Sequence, residues 1–249
     1  FDKDGFKDLF ITNGYVKDYT EMDFLKYSVD RVIKSMAKDS ANVDPIPEYL
    51  RKMPKNETQN YAFRNKGDGT FQKMSNEWGF TTKGVSAGAA YADLDNDGDL
   101  DLIVNNTNAL ASIYKNNAEK LSKNNYLSVK LDGDATNRFG IGAKVKLLGG
   151  AVPVQSQEMV SGGRYLAGDD PVRVFAAGRT AVAMSLEVVW RSGRRSVLTN
   201  VQANQLYEVD ESAASNPTGL PASATNSPLF LDVSERIRHT HREEIFDDY

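Results

Sequence analysis

The rhythm of apolar and polar positions changes several times along the chain. The run "LDLIVNN", Leu100 to Asn106, holds β-branched Ile103 and Val104 and predicts a strand. Between Thr20 and Gln59 the period lengthens: Met22, Leu25, Val29, Val32, Ile33 and Met36 recur at helical spacing. Thr20 and Asp23 resemble a capping box, with Asp where Glu or Gln is usual, and Pro45, Pro47 and Pro54 bound the segment beyond Met36. The spacing predicts a helical insertion in which Met22 and Met36 serve packing. From Asn124 the period shortens to two, in "YLSVKL", "AKVKLL", "SLEVVW", "SVLTNV" and "QLYEVD". Asp68-Gly69 within "NKGDGTF" and Trp190 to Arg194 read as hairpin turns. Ser212 to Pro228 is rich in small residues and proline and reads as a linker.

Composition narrows the function classes. The 249 residues are 40% hydrophobic, with 19 glycines, an ordinary globular balance. Thirty basic residues face 34 acidic ones, giving a net charge of −4 without a long basic block. That balance argues against nucleic acid and anionic lipid as partners. No apolar run approaches the ~20 residues of a membrane-spanning helix, and no signal-peptide pattern opens the sequence. Cysteine is absent, so disulfides, thiolate metal sites and cysteine nucleophiles are excluded.

One stretch is chemically conspicuous. In "YADLDNDGDLDLIVNN", Asp93, Asp95, Asp97, Asp99 and Asp101 occupy alternate positions. Five like charges in nine residues repel unless something positive joins them. Asp93, Asp95, Asp97 and Asp101 fit a D-x-D-x-D-G-x-x-D pattern, and Gly98 permits the sharp turn that lets carboxylates converge. With the Asp99 carbonyl, they predict an all-oxygen shell suited to Ca²⁺. An EF-hand needs a Glu at position twelve; Val104 stands there, and a strand comes next instead of a helix. The plainer alternative is an Asp/Asn/Gly turn held by side-chain to backbone hydrogen bonds, with no metal.

The opening "FDKDGFKDLFITNG" repeats the pattern. Aligning Asp2, Asp4, Gly5 and Asp8 with Asp95, Asp97, Gly98 and Asp101 also matches Leu9 to Leu102 and Asn13 to Asn106. The alignment predicts a second site using Asp2, Asp4 and Asp8, its first ligand preceding residue 1, so that the chain reads as a fragment beginning inside a loop. "FRN" at Phe63 recurs as "YKN" at Tyr114, and "FQKMS" at Phe71 recurs as "FLDVS" at Phe230. Repeated short strands joined by turns predict radial or stacked β architecture.

These residues resemble a known family. "NYAFRNKGDGTF", "GVSAGAAYADLDNDGDLDLIVNN" and "DKDGFKDLFITNG" are similar to FG-GAP/VCBS repeats, the blades of calcium-binding β-propellers, a loop type shared with integrin α-subunits. The segments "NNYLSVKLDGDATNRFGIGAKV", "SGGRYLAG" and "LEVVWRSGRRSVLTNVQANQ" resemble the ASPIC/UnbV domain. Trp190-Arg191-Ser192-Gly193 departs from the usual Trp-Pro-Ser-Gly, and Phe175-Ala176-Ala177-Gly178 from Phe-Gly-Leu-Gly. The resemblance implies an all-β chain. Blades would occupy 1–120 with the insertion at about 20–59, a β-sandwich-like domain 121–211, a linker 212–228, and a further propeller segment would start at 229–249.

Other candidates carry less. Gly140 and Gly142 in "RFGIGAK" precede a strand pattern, so a tight turn is expected in place of a phosphate cradle. Arg164, Tyr165 and Trp190 suit either a sugar-stacking face or packing, and Trp190 ends an apolar alternation that favours the core. His239 and His241 would share a face of a strand and suit zinc, with no third ligand nearby; the resemblance, whose members carry a similar segment where the following propeller begins, implies a structural role.

The resulting expectation is a non-catalytic extracytoplasmic binding or scaffold protein whose Ca²⁺ loops stabilise blades. The resemblance, which extends to cartilage acidic proteins, implies protein or glycan ligands at a cell surface and a membrane-associated complex. The alternative is a carbohydrate-active enzyme, of polysaccharide-lyase type, on a calcium-bearing propeller. Such an enzyme needs a base beside the cation, and none is recognisable next to the aspartates.

Overall fold

The computed structural model describes residues 1–18, 20, 22–23, 26, 30, 34, 51–55, 57–179, 183–216 and 232–237. Among them the chain is nearly all β, in several open sheets. Residues 1–216 form one unit and residues 217–249 another.

The first part of the larger unit contains two similar three-stranded sheets. One is built from β1 (Leu9–Ile11), β3 (Tyr61–Asn65) and β4 (Phe71–Lys73), in the order β1-β3-β4. The other is built from β6 (Ser86–Ala92), β7 (Asp101–Asn106) and β8 (Ser112–Tyr114), in sequence order. The short β2 (Thr58–Gln59) and β5 (Lys83–Gly84) pair between them. Leu9 lies opposite Phe63 in one sheet as Leu102 lies opposite Tyr114 in the other, so the two pairings share a register. Ala62, Phe80, Leu102 and Val104 form a buried cluster, with Phe10, Trp78, Ala89, Tyr91 and Tyr114 against it. Phe10 comes from β1 and Val104 from β7, so neither sheet has a core of its own. Phe80 links them, its ring 5.0 Å from both Phe10 and Tyr114.

Asn13 and Asn106, aligned in the sequence, both reach β6. Asn13 Oδ1 accepts from Ser86 N at 2.7 Å, and Asn106 Oδ1 accepts from Ser86 Oγ at 2.8 Å. A one-turn helix, α1 (Ala118–Leu121), then leads into the second part. There, β9 (Asn125–Asp132), β12 (Val172–Gly178) and β15 (Leu206–Asp210) form one sheet, with β15 parallel to β9. β10 (Lys144–Leu148), β11 (Val154–Glu158), β13 (Met184–Val189) and β14 (Arg195–Val201) form the other. Their alternating apolar positions meet in one cluster: Leu127 and Val129 from β9, Val145 and Leu147 from β10, Phe175 from β12, Leu186 and Val188 from β13. That is the arrangement of a sandwich. The paired Arg195 and Ser215 backbones hold the chain to it as far as residue 215.

Of the helical insertion, Met22, Asp23, Lys26, Asp30 and Lys34, and later Arg51 and Lys52, have helical backbone; the remainder lies outside the described residues. Met22, expected to pack, is 59% exposed. Helical spacing identifies a face but does not require another element to cover every turn of it. In the unit 217–249 the described part is a single turn, α2 (Ser234–Ile237). His239, His241 and most of the linker lie outside the described residues.

Candidate metal centre

The loop 93–100 joins β6 to β7, and the paired Ala92 and Asp101 close its base. Asn96 at φ 62° and Gly98 at φ 84° take left-handed backbone, which curls the loop inward. Asp93 fixes that curl by accepting from Asp97 N at 3.1 Å and Gly98 N at 3.0 Å. Asp97 Oδ1 accepts from Asp99 N at 3.2 Å.

The structure brings carboxylate oxygens of Asp93, Asp95 and Asp97 within 4.8 Å of one another. The Lys115 ammonium, projecting just beyond β8, pairs with Asp95 and, at 3.2 Å, with Asp97. A cation is therefore already part of the arrangement. Asp101 stands apart from this group. It is 2% exposed, and its two oxygens accept from Leu94 N at 3.0 Å and Asn116 N at 2.8 Å, tying the loop to the neighbouring strand. Asp99 is fully buried: Oδ2 accepts from Glu119 N at 3.0 Å, while Oδ1 meets no donor among the described residues.

Burial pushes the Asp93 carboxyl above its ordinary value, against the hydrogen bonds from Gly98 and Asp97, and the Asp97 charge adds to the rise. Asp99 is pushed up to about 7, chiefly by burial and further by the charge of Asp97. Crowded carboxylates at Asp93, Asp95 and Asp97, with the Asp93 carboxyl raised by burial, are groups that an oxygen-ligated dication would relieve. The donors gathered here are all oxygens, the type that hard cations take.

The opening of the chain reproduces this construction. Lys3 and Gly5 take φ of 59° and 95°, matching Asn96 and Gly98. Asp4 Oδ1 accepts from Phe6 N at 2.9 Å, matching Asp97 and Asp99 N. Asp8 Oδ1 accepts from Asn65 N at 2.9 Å, matching Asp101 and Asn116 N. Asn65 Nδ2 donates to Lys7 O as Asn116 Nδ2 donates to Leu100 O. Arg64 takes the place of Lys115, with Nε 2.9 Å from Asp2 and a terminal nitrogen 3.5 Å from Asp4. Among the described residues no group of three ligating side chains gathers in this copy.

Both loops lie against the sandwich. A Cβ on Gly98 would fall 2.0 Å from the Tyr126 ring of β9, and one on Gly5 2.9 Å from Val152. Asn124 Nδ2 donates to Asp2 O at 2.9 Å.

The remaining candidates resolve as structural parts. Trp190 is 2% exposed in the sandwich core, and its Nε1 donates to Ser196 Oγ at 2.9 Å. Tyr165 is exposed, while the Arg164 guanidinium pairs with Asp169 and lies 4.0 Å over the Tyr91 ring, so these two and the buried Trp190 do not share a face. Gly140 and Gly142 take positive φ in the turn before β10, as their pattern predicts. Sequence reasoning missed Arg64, Lys115 and Glu119. The central basic residue of "FRN" and "YKN" was the available signal for the first two. Glu119 had none, because it meets Asp99 across twenty positions of sequence.

Comparisons with known families agree with this architecture. The family described as FG-GAP-like repeat matches residues 49–104, and the family described as ASPIC and UnbV matches residues 133–216. A search of curated proteins returns no match. FG-GAP repeats are typical of extracellular proteins, and among the described residues no helix is long and apolar enough to cross a membrane.

Proposed function

For a chain that carries an FG-GAP-like repeat and an ASPIC/UnbV domain, we propose a non-catalytic, extracytoplasmic binding or scaffold role in which calcium holds the blade loops. The observation that carries this reading is the duplication of the loop. Two segments far apart in sequence build the same turn, the same aspartate–asparagine link and the same basic residue set against the carboxylates. Construction repeated in successive sheets serves architecture; a catalytic centre needs to be built once.

Calcium, when bound, supplies positive charge and oxygen-seeking coordination at Asp93, Asp95 and Asp97, with the Asp99 carbonyl and Asp101 as further donors. Asp101 retains lone pairs after accepting its two backbone N–H groups, so the base of the loop and a bound ion would stiffen each other. Extracellular modules work with weak sites of ~10⁻⁴–10⁻³ M, because calcium is plentiful outside cells. The surface so stabilised would present a protein or glycan ligand site within a membrane-associated complex. Asp97→Ala separates this role from catalysis. A screen against acidic and neutral polysaccharides should find no cleavage by the parent chain. Cleavage by the parent that Asp97→Ala abolishes, with melting unchanged, would overturn the reading in favour of a lyase-type enzyme.

A further inference from the structure

We propose that Asp97, Asp99 and Glu119 form a second divalent-cation site beside the loop's own, bridging the loop to α1. Their carboxylate oxygens come within 4.8 Å of one another. Proximity alone would not make a site, since acidic groups gather on surfaces without any ion. Here two of the oxygens are out of water and meet no N–H donor, so that without an ion only a proton shared between the Asp99 and Glu119 carboxyls links them. Asp99 is 0% exposed and its Oδ1 has no donor; the Glu119 side chain is 24% exposed, but its Oε2 is out of water and also without one.

The nearby basic groups do not reach them. Lys115 sits on Asp95 and Asp97, and Lys120 Nζ lies 3.2 Å from Glu119 Oε1, the other oxygen. Lys3 acts on Asp99 only as a charge at longer range. Leaving a buried polar atom without a partner is costly, and two facing carboxylates add repulsion to that cost. A hard dication satisfies both oxygens at once, with water completing a shell of six to eight donors. The cation would join Asp99, at the end of the loop, to α1 in the connection that leads to the sandwich, through the backbone link already made by Glu119 N to Asp99 Oδ2.

The site shares Asp97 with the loop of the proposed function, so residues that the two do not share must separate them: Asp95 for the loop and Glu119 for the new site. The test is equilibrium dialysis of the full chain against radioactive calcium up to several millimolar, counting bound ions per chain. Glu119→Gln, with Asp99→Asn as a second isosteric variant, should bind one ion fewer and melt no lower than the parent in calcium-free buffer. Asp95→Asn should lose a different ion, and the Asp95→Asn/Glu119→Gln pair should lose two. If only Glu119→Gln loses an ion, the second site stands and the loop site fails. Unchanged binding by Glu119→Gln and Asp99→Asn would overturn the proposal, leaving the two carboxyls to share a proton. A double variant no worse than either single one would overturn it as well, because one ion would then account for both.

Discussion

At the scale of single residues, position within the loop decides what each aspartate does. Alternate carboxylates were legible in the sequence because like charges so close suit a cation. Which of them gather was not legible. Asp101 belongs to the same pattern, yet holds two backbone N–H groups at the base of the loop. Burial gives Asp99 its own pH dependence. Its carboxyl is raised to about 7 from 3.8, so the folded chain keeps a proton that the unfolded chain releases between those values. The stability tied to Asp99 is then complete below about 4 and is lost as pH rises to about 7. Asp93 shifts in the same sense. Asp68, Asp134 and Asp210 are held low by hydrogen bonds from Thr70, Thr136 and Ser212, so their contribution is lost only as pH falls below about 4. In calcium-stripped buffer the chain should therefore melt higher at pH 5 than at pH 7.5, as followed by circular dichroism. Excess calcium should remove or reverse the difference.

Gly98 supplies a second test at this scale. Its φ of 84° alone makes alanine unfavourable, by ~1–2 kcal/mol, and the Tyr126 ring occupies the space a Cβ would need. Gly69 has the same backbone, at φ 85°, with nothing within 4 Å. Gly98→Ala should cost clearly more stability than Gly69→Ala in chemical denaturation, and equal costs would mean that the ring contact carries no energy.

At the scale of elements, the strands were legible where alternation or β-branching marks them, and the repeat was legible where Asp, Gly and Asn recur. The basic partner of each loop was hidden because it enters from the next strand, just past Phe63 in one copy and Tyr114 in the other. Sequence patterns along one element do not report which side chain a neighbouring strand delivers. Lys115, half-exposed, stands where it competes with an added cation for Asp95 and Asp97. Lys115→Met should lower melting slightly without calcium and strengthen calcium binding by up to roughly fivefold, the scale of an exposed ion pair worth up to about 1 kcal/mol. Calorimetric titration reads both the affinity and its change.

At the scale of the whole molecule, the sequence separated a repeat region from a β-sandwich by the change of rhythm near Asn124. The contact between them was not legible, because it depends on glycines whose missing side chains let Tyr126 and Val152 approach the loops. Residues 1–216 form one unit. Elastase, which favours small residues, should cut first in the small-residue, proline-containing stretch Ser212 to Pro228; earlier cleavage within 124–211 would contradict that linker reading.

The central claim is that calcium acts on the fold through the aspartate loop, and melting of the parent chain and Asp97→Ala with and without calcium tests it most directly. An ion bound only by the folded state adds about 2.7 kcal/mol at a hundredfold excess over Kd, roughly 5–10 °C for a unit of this size. The account predicts that rise for the parent, its loss on chelation, and little or no rise for Asp97→Ala. Equal melting temperatures for the parent with calcium and with chelator would contradict it.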